Sequence, residues 1–186
     1  MALTPRPASR EPAASAEEER RQRAVESLHL THDRSYEHLD RITRVARVAL
    51  DVPAAAITVL DRDRAWFASV QGTDLRELPR DQTLCAQAVS GQGTLVVEDA
   101  GLDERLAALA PVAEHGVRFY AGRPILDPYG NAVAVFCVFD TVPRTLDADR
   151  LAALEDLATW AQRELLSSHE MSQAGRGQAP LLPRQP

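Results

Sequence analysis

FYAGRPILDPYGNAVAVFCVFDTVPRT, residues 119–145, is the stretch whose reading decides the fold. It reads as two strands joined by a tight turn at Asp127-Pro128-Tyr129-Gly130. Pro128 supplies the fixed φ wanted at the second turn position, and Gly130 can take the positive φ that closes a bulged hairpin. The second arm, Ala132 to Phe139, has no polar face. Val133, Val135, Cys137 and Phe139 alternate with Ala134, Phe136 and Val138. A strand that is apolar on both sides belongs in the middle of a sheet with cover on each face. The rest of the chain therefore has to supply that cover. The expectation is helices over one face and a small-molecule pocket under the other, with the pocket over Phe136.

Downstream, Leu146 to Glu170 predicts a long helix with Thr145 or Asp147 as N-cap, and Leu151, Leu154, Leu157, Ala158, Ala161 and Leu165 line one side of it. Residues 171–186 are Gly/Pro/Gln-rich and read as a disordered tail. Upstream, Thr94 to Glu98 reads as a strand, and Asp99 to His115 as a short helix or two broken at Pro111. Ala54 to Leu60 and Arg64 to Val70 form a hairpin, Gly72 to Pro79 a loop, and Asp81 to Ser90 a short helix ended by Gly91 and Gly93. Residues 1–15 are Pro/Ala/Ser-rich and read as disordered. A helix starts at Ala16, and a second runs from Ser35 to Leu50 until Pro53 stops it. Residues 16–170 thus form one α+β unit with a mostly antiparallel sheet, since helices and strands are not in βαβ alternation.

The 186 residues are 45 % hydrophobic and 26 % charged, with a formal charge of −6. That balance argues against a nucleic-acid binder. All the positive charge is Arg. No run of about 18 apolar residues suggests a membrane span, and the N-terminal residues do not read as a secretory signal. Two cysteines far apart in sequence, both in apolar surroundings, suggest free thiols in a reducing compartment, hence the cytoplasm.

Several words of the sequence, in order, carry a family likeness. They are AAAITVLDRDRAWFASVQG (54–72), R-x-x-x-x-C-A-x-A-V (80–89), LVVEDAGLDERLAALAPV (95–112), the hairpin (118–146) and LAALEDLATWAQREL (151–165). Together Leu39 to Leu165 resemble a GAF domain, a small-molecule-sensing relative of PAS domains. The resemblance implies a central six-stranded antiparallel sheet, with terminal helices on one face. Short helices and loops would cover a ligand pocket on the other. It also permits tests of the family's specialisations. Relatives that reduce free methionine sulfoxide use three cysteines around the pocket, and here a Cys-Asp pair in the later loop is missing. Bilin-binding relatives carry Cys-His on the middle helix, where this chain has Cys85-Ala86. The Asn-Lys…Phe…Asp-Glu signature of cyclic-nucleotide-binding relatives is absent.

The candidate ligand-binding residues are the aromatics Trp66, Phe67, Phe119, Tyr120 and Phe136, the apolar Leu106, and the polar Arg80 and Asp99, with Arg123 nearby in character. Strand aromatics also simply pack, Arg80 can pair with an acid, and Asp99 can cap the following turn. Cys85 follows Arg80 at the start of a short helix, where a nearby cation and the helix end favour thiolate, although Leu84-Cys85-Ala86 also suits a packed apolar stripe. Cys137 reads as packing. His29, His32 and His38 with Asp33 lie at a helix break and do not make a closed metal set. The resulting reading is a sensory module that binds an unidentified small molecule and regulates a protein partner in trans, rather than an enzyme. It would be a homodimer through its terminal helices, with Trp160 as a contact. No cofactor is specified. The alternatives are a thiol-based redox sensor or reductase using Cys85, and an interaction scaffold without ligand.

Overall fold

The computed structural model describes residues 11–32, 34–91 and 93–176. In chain order the elements are α1 (Glu11–Ser27), α2 (Glu37–Ala49), β1 (Ala54–Asp61), β2 (Arg64–Gln71), β3 (Glu77–Pro79), α3 (Leu84–Ser90), β4 (Leu95–Val97), α4 (Glu104–Ala107), α5 (Ala110–Ala113), β5 (Phe119–Leu126), β6 (Ala132–Asp140) and α6 (Ala148–Arg176). Short 3-10 turns at Arg80–Gln82 and Ala100–Leu102 complete the middle of the chain. The six strands form one sheet in the order β3-β2-β1-β6-β5-β4, and every neighbouring pair is antiparallel.

β6 lies between β1 and β5, as its double-sided apolar pattern requires. The β5–β6 turn closes through Gly130 N–H donating to the Asp127 carbonyl at 3.0 Å, with Gly130 at φ +85°. The Asp127 carboxylate accepts from the backbone N–H groups of Tyr129 and Asn131, so the turn is also an Asx turn. β3 falls inside the segment read from sequence as a loop. It is a three-residue edge strand, too short to show alternation.

One face of the sheet is covered by helices. Leu39, Ile42 and Ala46 of α2, Leu154, Leu157, Ala158, Ala161 and Leu165 of α6, and Val25 of α1 pack on the odd residues of β1 and on Trp66, Phe119, Ala134, Phe136 and Val138. Each fully buried Leu or Phe here contributes about 1.5–3 kcal/mol. Two bulges adjust the alternation. In β2, Ile57 pairs with Ser69 and Thr58 with Phe67, so Ala68 is unpaired. Ala68 joins the core on the helix side, and the Ser69 hydroxyl bonds Thr43 Oγ1 of α2 at 2.8 Å. In β6, Ile125 pairs with Ala134 and Leu126 with Ala132, leaving Val133 unpaired. Val133 therefore belongs to the helix-side core rather than to the Val135–Cys137–Phe139 face.

The other face carries Ala56, Leu60, Ala65, Tyr120, Val135 and Cys137, covered by Leu84, Cys85 and Ala88 of α3 and by Leu109 and Val117. Pro111 sits in the first turn of α5 and starts that helix, where a missing N–H costs nothing, rather than breaking one. Asp147 precedes α6, and its carboxylate accepts from the Arg150 N–H at 2.8 Å, so it is the N-cap. α1 begins at Glu11, before the expected Ala16, and α6 runs to Arg176, beyond the expected Glu170. The expected tails at 1–10 and 177–186 lie outside the described residues. No helix among the described residues is long and apolar enough to cross a membrane.

Candidate functional site

Strand alternation sorts the candidate aromatics. Side chains of adjacent strand residues point to opposite faces. Phe67 and Tyr120 therefore face α3, while Trp66 and Phe119 face α2 and α6. Phe136 is fully buried in the helix-side core. The pocket is expected over Phe136, but that side chain is packed into the helix-side core and lines none of the cavities described below. The space lies across the sheet, over Cys137.

That space is a cavity of about 40 Å³ between the front of the sheet and α3. Phe67, Leu75, Leu78, Leu84, Pro111 and Phe139 give it an apolar lining. No Asp, Glu, His or Arg side chain lines it. A handful of polar atoms converge on its floor. The Tyr120 hydroxyl donates to Cys85 Sγ at 3.4 Å. The Cys85 thiol donates to Thr58 Oγ1 at 3.5 Å. Cys137 Sγ stands 3.8 Å from Thr58 Oγ1 and 3.9 Å from Cys85 Sγ. Thr58, Cys85, Tyr120 and Cys137 are all buried.

Each of these groups has a local reason for its position. Thr83 caps α3 by accepting from the Ala86 N–H at 3.1 Å, which fixes Cys85 in the first turn above the sheet. Thr58 is the polar residue in the otherwise apolar run Ala54–Leu60, on the same face as Phe67. Tyr120 folds back along β5 because residue 122 is Gly: a Cβ there would stand 2.2 Å from the Tyr120 hydroxyl oxygen. Gly122 is paired with Cys137, so the phenol lies beside that sulfur as well.

The electrostatics of the floor separate the two thiols. Hydrogen bonding from Cys137 lowers the Cys85 thiol below its ordinary range against the cost of burial, with help from Thr58 and Tyr120. Cys137 is driven well above its ordinary range, first by its bond to Cys85 and then by burial. Burial raises Tyr120, which stays a neutral donor. The cation expected to activate Cys85 does not do so. Arg80 instead donates to the Glu18 carboxylate of α1 at 2.5 Å and to the Arg62 carbonyl.

The remaining candidates also lie outside the cavity. Asp99 accepts from Arg118 Nε at 2.6 Å and from the Gly101 N–H at 3.0 Å, a clasp between the end of β4 and the start of β5. Leu106 packs on the outer side of the front cluster without lining the cavity. Arg123 donates to Glu155 of α6 at 2.6 Å and to Thr94 at 3.1 Å. Arg80 and Arg123 do border a larger polar groove of about 790 Å³ beside α1. Its cations are already paired within the chain, so an anionic ligand there would have to break those pairs. Among the described residues no group of three His, Cys, Asp or Glu converges on a metal position. Asp33 lies outside them.

Of the sequence candidates, Phe67, Cys85 and Tyr120 line this cavity, and sequence reasoning did not single out Thr58, Gly122 or a role for the second thiol there. A lone Thr in a two-sided apolar strand was a usable signal. Nothing local placed Cys137 beside a residue 52 positions earlier.

The family model described as GAF domain matches residues 37–165. The chain belongs to the GAF domain family. This GAF domain is 36 % identical over 149 residues to the cyclic di-GMP phosphodiesterase PA2567 of Pseudomonas aeruginosa, covering 79 % of this chain and 25 % of that protein. It therefore spans about a quarter of the length of that relative. Among solved structures it resembles the GAF domain of an Acinetobacter phosphoenolpyruvate-protein phosphotransferase, at a TM-score of 0.60 and 16 % identity, covering 85 % of this chain and 98 % of the other. It also resembles the free methionine-R-sulfoxide reductase of Neisseria meningitidis, at a TM-score of 0.58 and 17 % identity, covering 91 % and 98 %. At these identities the likeness is one of fold.

Proposed function

We propose that this GAF domain is a sensory module that binds a small, uncharged, largely apolar molecule between α3 and the front of the sheet. The observation that carries this reading is the cavity itself. It combines apolar walls with the Thr58 and Tyr120 hydroxyls and the Cys85 thiol on one floor. The lack of carboxylate, imidazole or guanidinium groups in the lining disfavours a nucleotide or a zwitterionic amino acid, whose charges would be buried unpaired. At about 40 Å³ the cavity holds only a group or two of water size, so a larger ligand enters by displacing lining side chains such as Leu75 and Leu78. Ligand occupancy would then be passed to a signalling partner in trans, inside a reducing cytoplasm. Membership of the GAF family and the kinship with a cyclic di-GMP phosphodiesterase support a regulatory role.

The module would act as a homodimer. Val48 of α2 is 84 % exposed, and Val45 and Trp160 stand beside it at 45 % and 42 %. The flanking Arg41 and Arg44 share the Glu37 carboxylate, which lessens the positive charge that two copies of this face would bring together.

The test uses phenol as a probe and native mass spectrometry of protein purified from its own host. A retained small molecule, together with a rise in Tm with phenol that Ala65→Leu abolishes by filling the cavity, is the expected result. Stabilisation should approach about 2.7 kcal/mol at a hundredfold excess over Kd. No retained molecule and no response to phenol would leave the fold without a sensor.

A further inference from the structure

We propose that Cys85 and Cys137 are a dithiol couple at the floor of the cavity, oxidised to an intramolecular disulfide by small alkyl hydroperoxides. The pairing is a product of the fold. α3 and the central strand β6 bring residues 52 positions apart to a sulfur–sulfur distance of 3.9 Å, with both side chains buried. A bond between them needs the sulfurs to close from 3.9 Å to about 2 Å. The two thiols are also unlike. Cys85 receives the Tyr120 hydroxyl and adjoins Thr58, which stabilises a thiolate, whereas Cys137 is held as thiol. The first is suited to attack and the second to resolve.

The chemistry balances as follows. The Cys85 thiolate attacks the terminal oxygen of ROOH and the O–O bond breaks. The leaving alkoxide takes the proton that Cys85 had released, giving ROH and a Cys85 sulfenic acid. Cys137 sulfur then attacks Cys85 sulfur, the S–O bond breaks, and hydroxide leaves with the Cys137 proton as water. The sulfur pair loses two electrons and the hydroperoxide gains them. The cavity walls select the oxidant: Phe67, Phe139, Leu75 and Leu78 favour an alkyl group over a fully hydrated peroxide. This couple shares the cavity with the proposed effector but does not depend on one. Covalent state and ligand retention are read separately.

The test treats the full chain with tert-butyl hydroperoxide or with hydrogen peroxide, then measures intact mass after unfolding in iodoacetamide. The expected result is a monomer that has lost two hydrogens, takes up no alkyl group, and recovers both thiols with dithiothreitol. Cys137→Ser should stop at a sulfenic acid that dimedone traps on Cys85. Cys85→Ser should slow loss of the Cys137 thiol by about tenfold or more. Circular dichroism reports whether each variant folds, and the wild-type mass decides alone if one does not. Two alkylated thiols after alkyl hydroperoxide, a sulfinic acid without a link, or linkage by hydrogen peroxide only would each overturn the proposal.

Discussion

Tyr120 reaches Cys85 because Gly122 has no Cβ to stop it. Tyr120→Phe keeps the ring and deletes the donor, so the Cys85 thiolate loses one stabilising bond. Its alkylation by iodoacetamide at neutral pH should slow by about threefold to tenfold, while the far-UV spectrum stays unchanged. Gly122→Ala should act in the same direction by pushing the phenol aside. The two faces of the sheet also predict different costs for the same kind of truncation. Phe136 is fully buried among the helices, so Phe136→Ala should destabilise by about 3–5 kcal/mol. Phe67 is half-buried on the cavity wall, and Phe67→Ala should cost less than about 2 kcal/mol while enlarging the cavity. Urea denaturation of the two variants checks the contrast, and equal losses would contradict the assignment of faces.

At the scale of elements, an ion network helps to fasten α1. Arg21 is only 6 % exposed and donates to the Leu60 carbonyl at 2.6 Å and the Ala132 carbonyl at 3.4 Å, which ties α1 to the ends of β1 and β6. Glu18 accepts from Arg21 at 2.7 Å and from Arg80 at 2.5 Å. Those bonds, that of Arg21 first, hold the Glu18 carboxyl at about 2, down from 4.5. A carboxyl lowered by folding stabilises fully above its unfolded value, and its contribution fades as pH falls from about 4.5 towards 2. The gap in urea midpoint between wild type and Glu18→Gln should therefore be full near pH 6 and narrow across that acid window. A gap independent of pH would mean that Glu18 acts only as a spacer. The same network accounts for the position of Arg80 outside the cavity: its guanidinium is held by the Glu18 carboxylate.

At the scale of the whole molecule, the exposed Val45, Val48 and Trp160 lie where α2 and α6 meet. Val48→Asp should convert a dimer to a monomer in sedimentation, with Tm shifted only by the loss of association. A wild type that sediments as a monomer at high concentration would end the dimer reading. Signals from the cavity would have to cross the sheet to reach that face. β6 is the direct route, since Cys137 faces the cavity and its neighbours Phe136 and Val138 face the helices.

The alternation of residues 132–139 was enough, without any coordinates, to make β6 a central strand, and Asp127–Gly130 was enough to fold β5 against it. Those are local facts: period, turn chemistry and an unbroken apolar run. A cap for α6 at Thr145 or Asp147 and the apolar stripe of α2 were legible for the same reason, and the structure settles the cap on Asp147. Local patterns state that Phe136 and Cys137 point opposite ways, but not which of them meets the helices. That depends on where α2 and α6 pack, and so on contacts between distant segments. The bulges at Ala68 and Val133, the short strand at Glu77–Pro79, and the meeting of Cys85 with Cys137 are of the same kind. Sequence determined the central strands and their need for a coat on each face, because hydrophobic period is written residue by residue. Only the tertiary structure decided which coat encloses the cavity, because distance between remote side chains is a property of the packed chain.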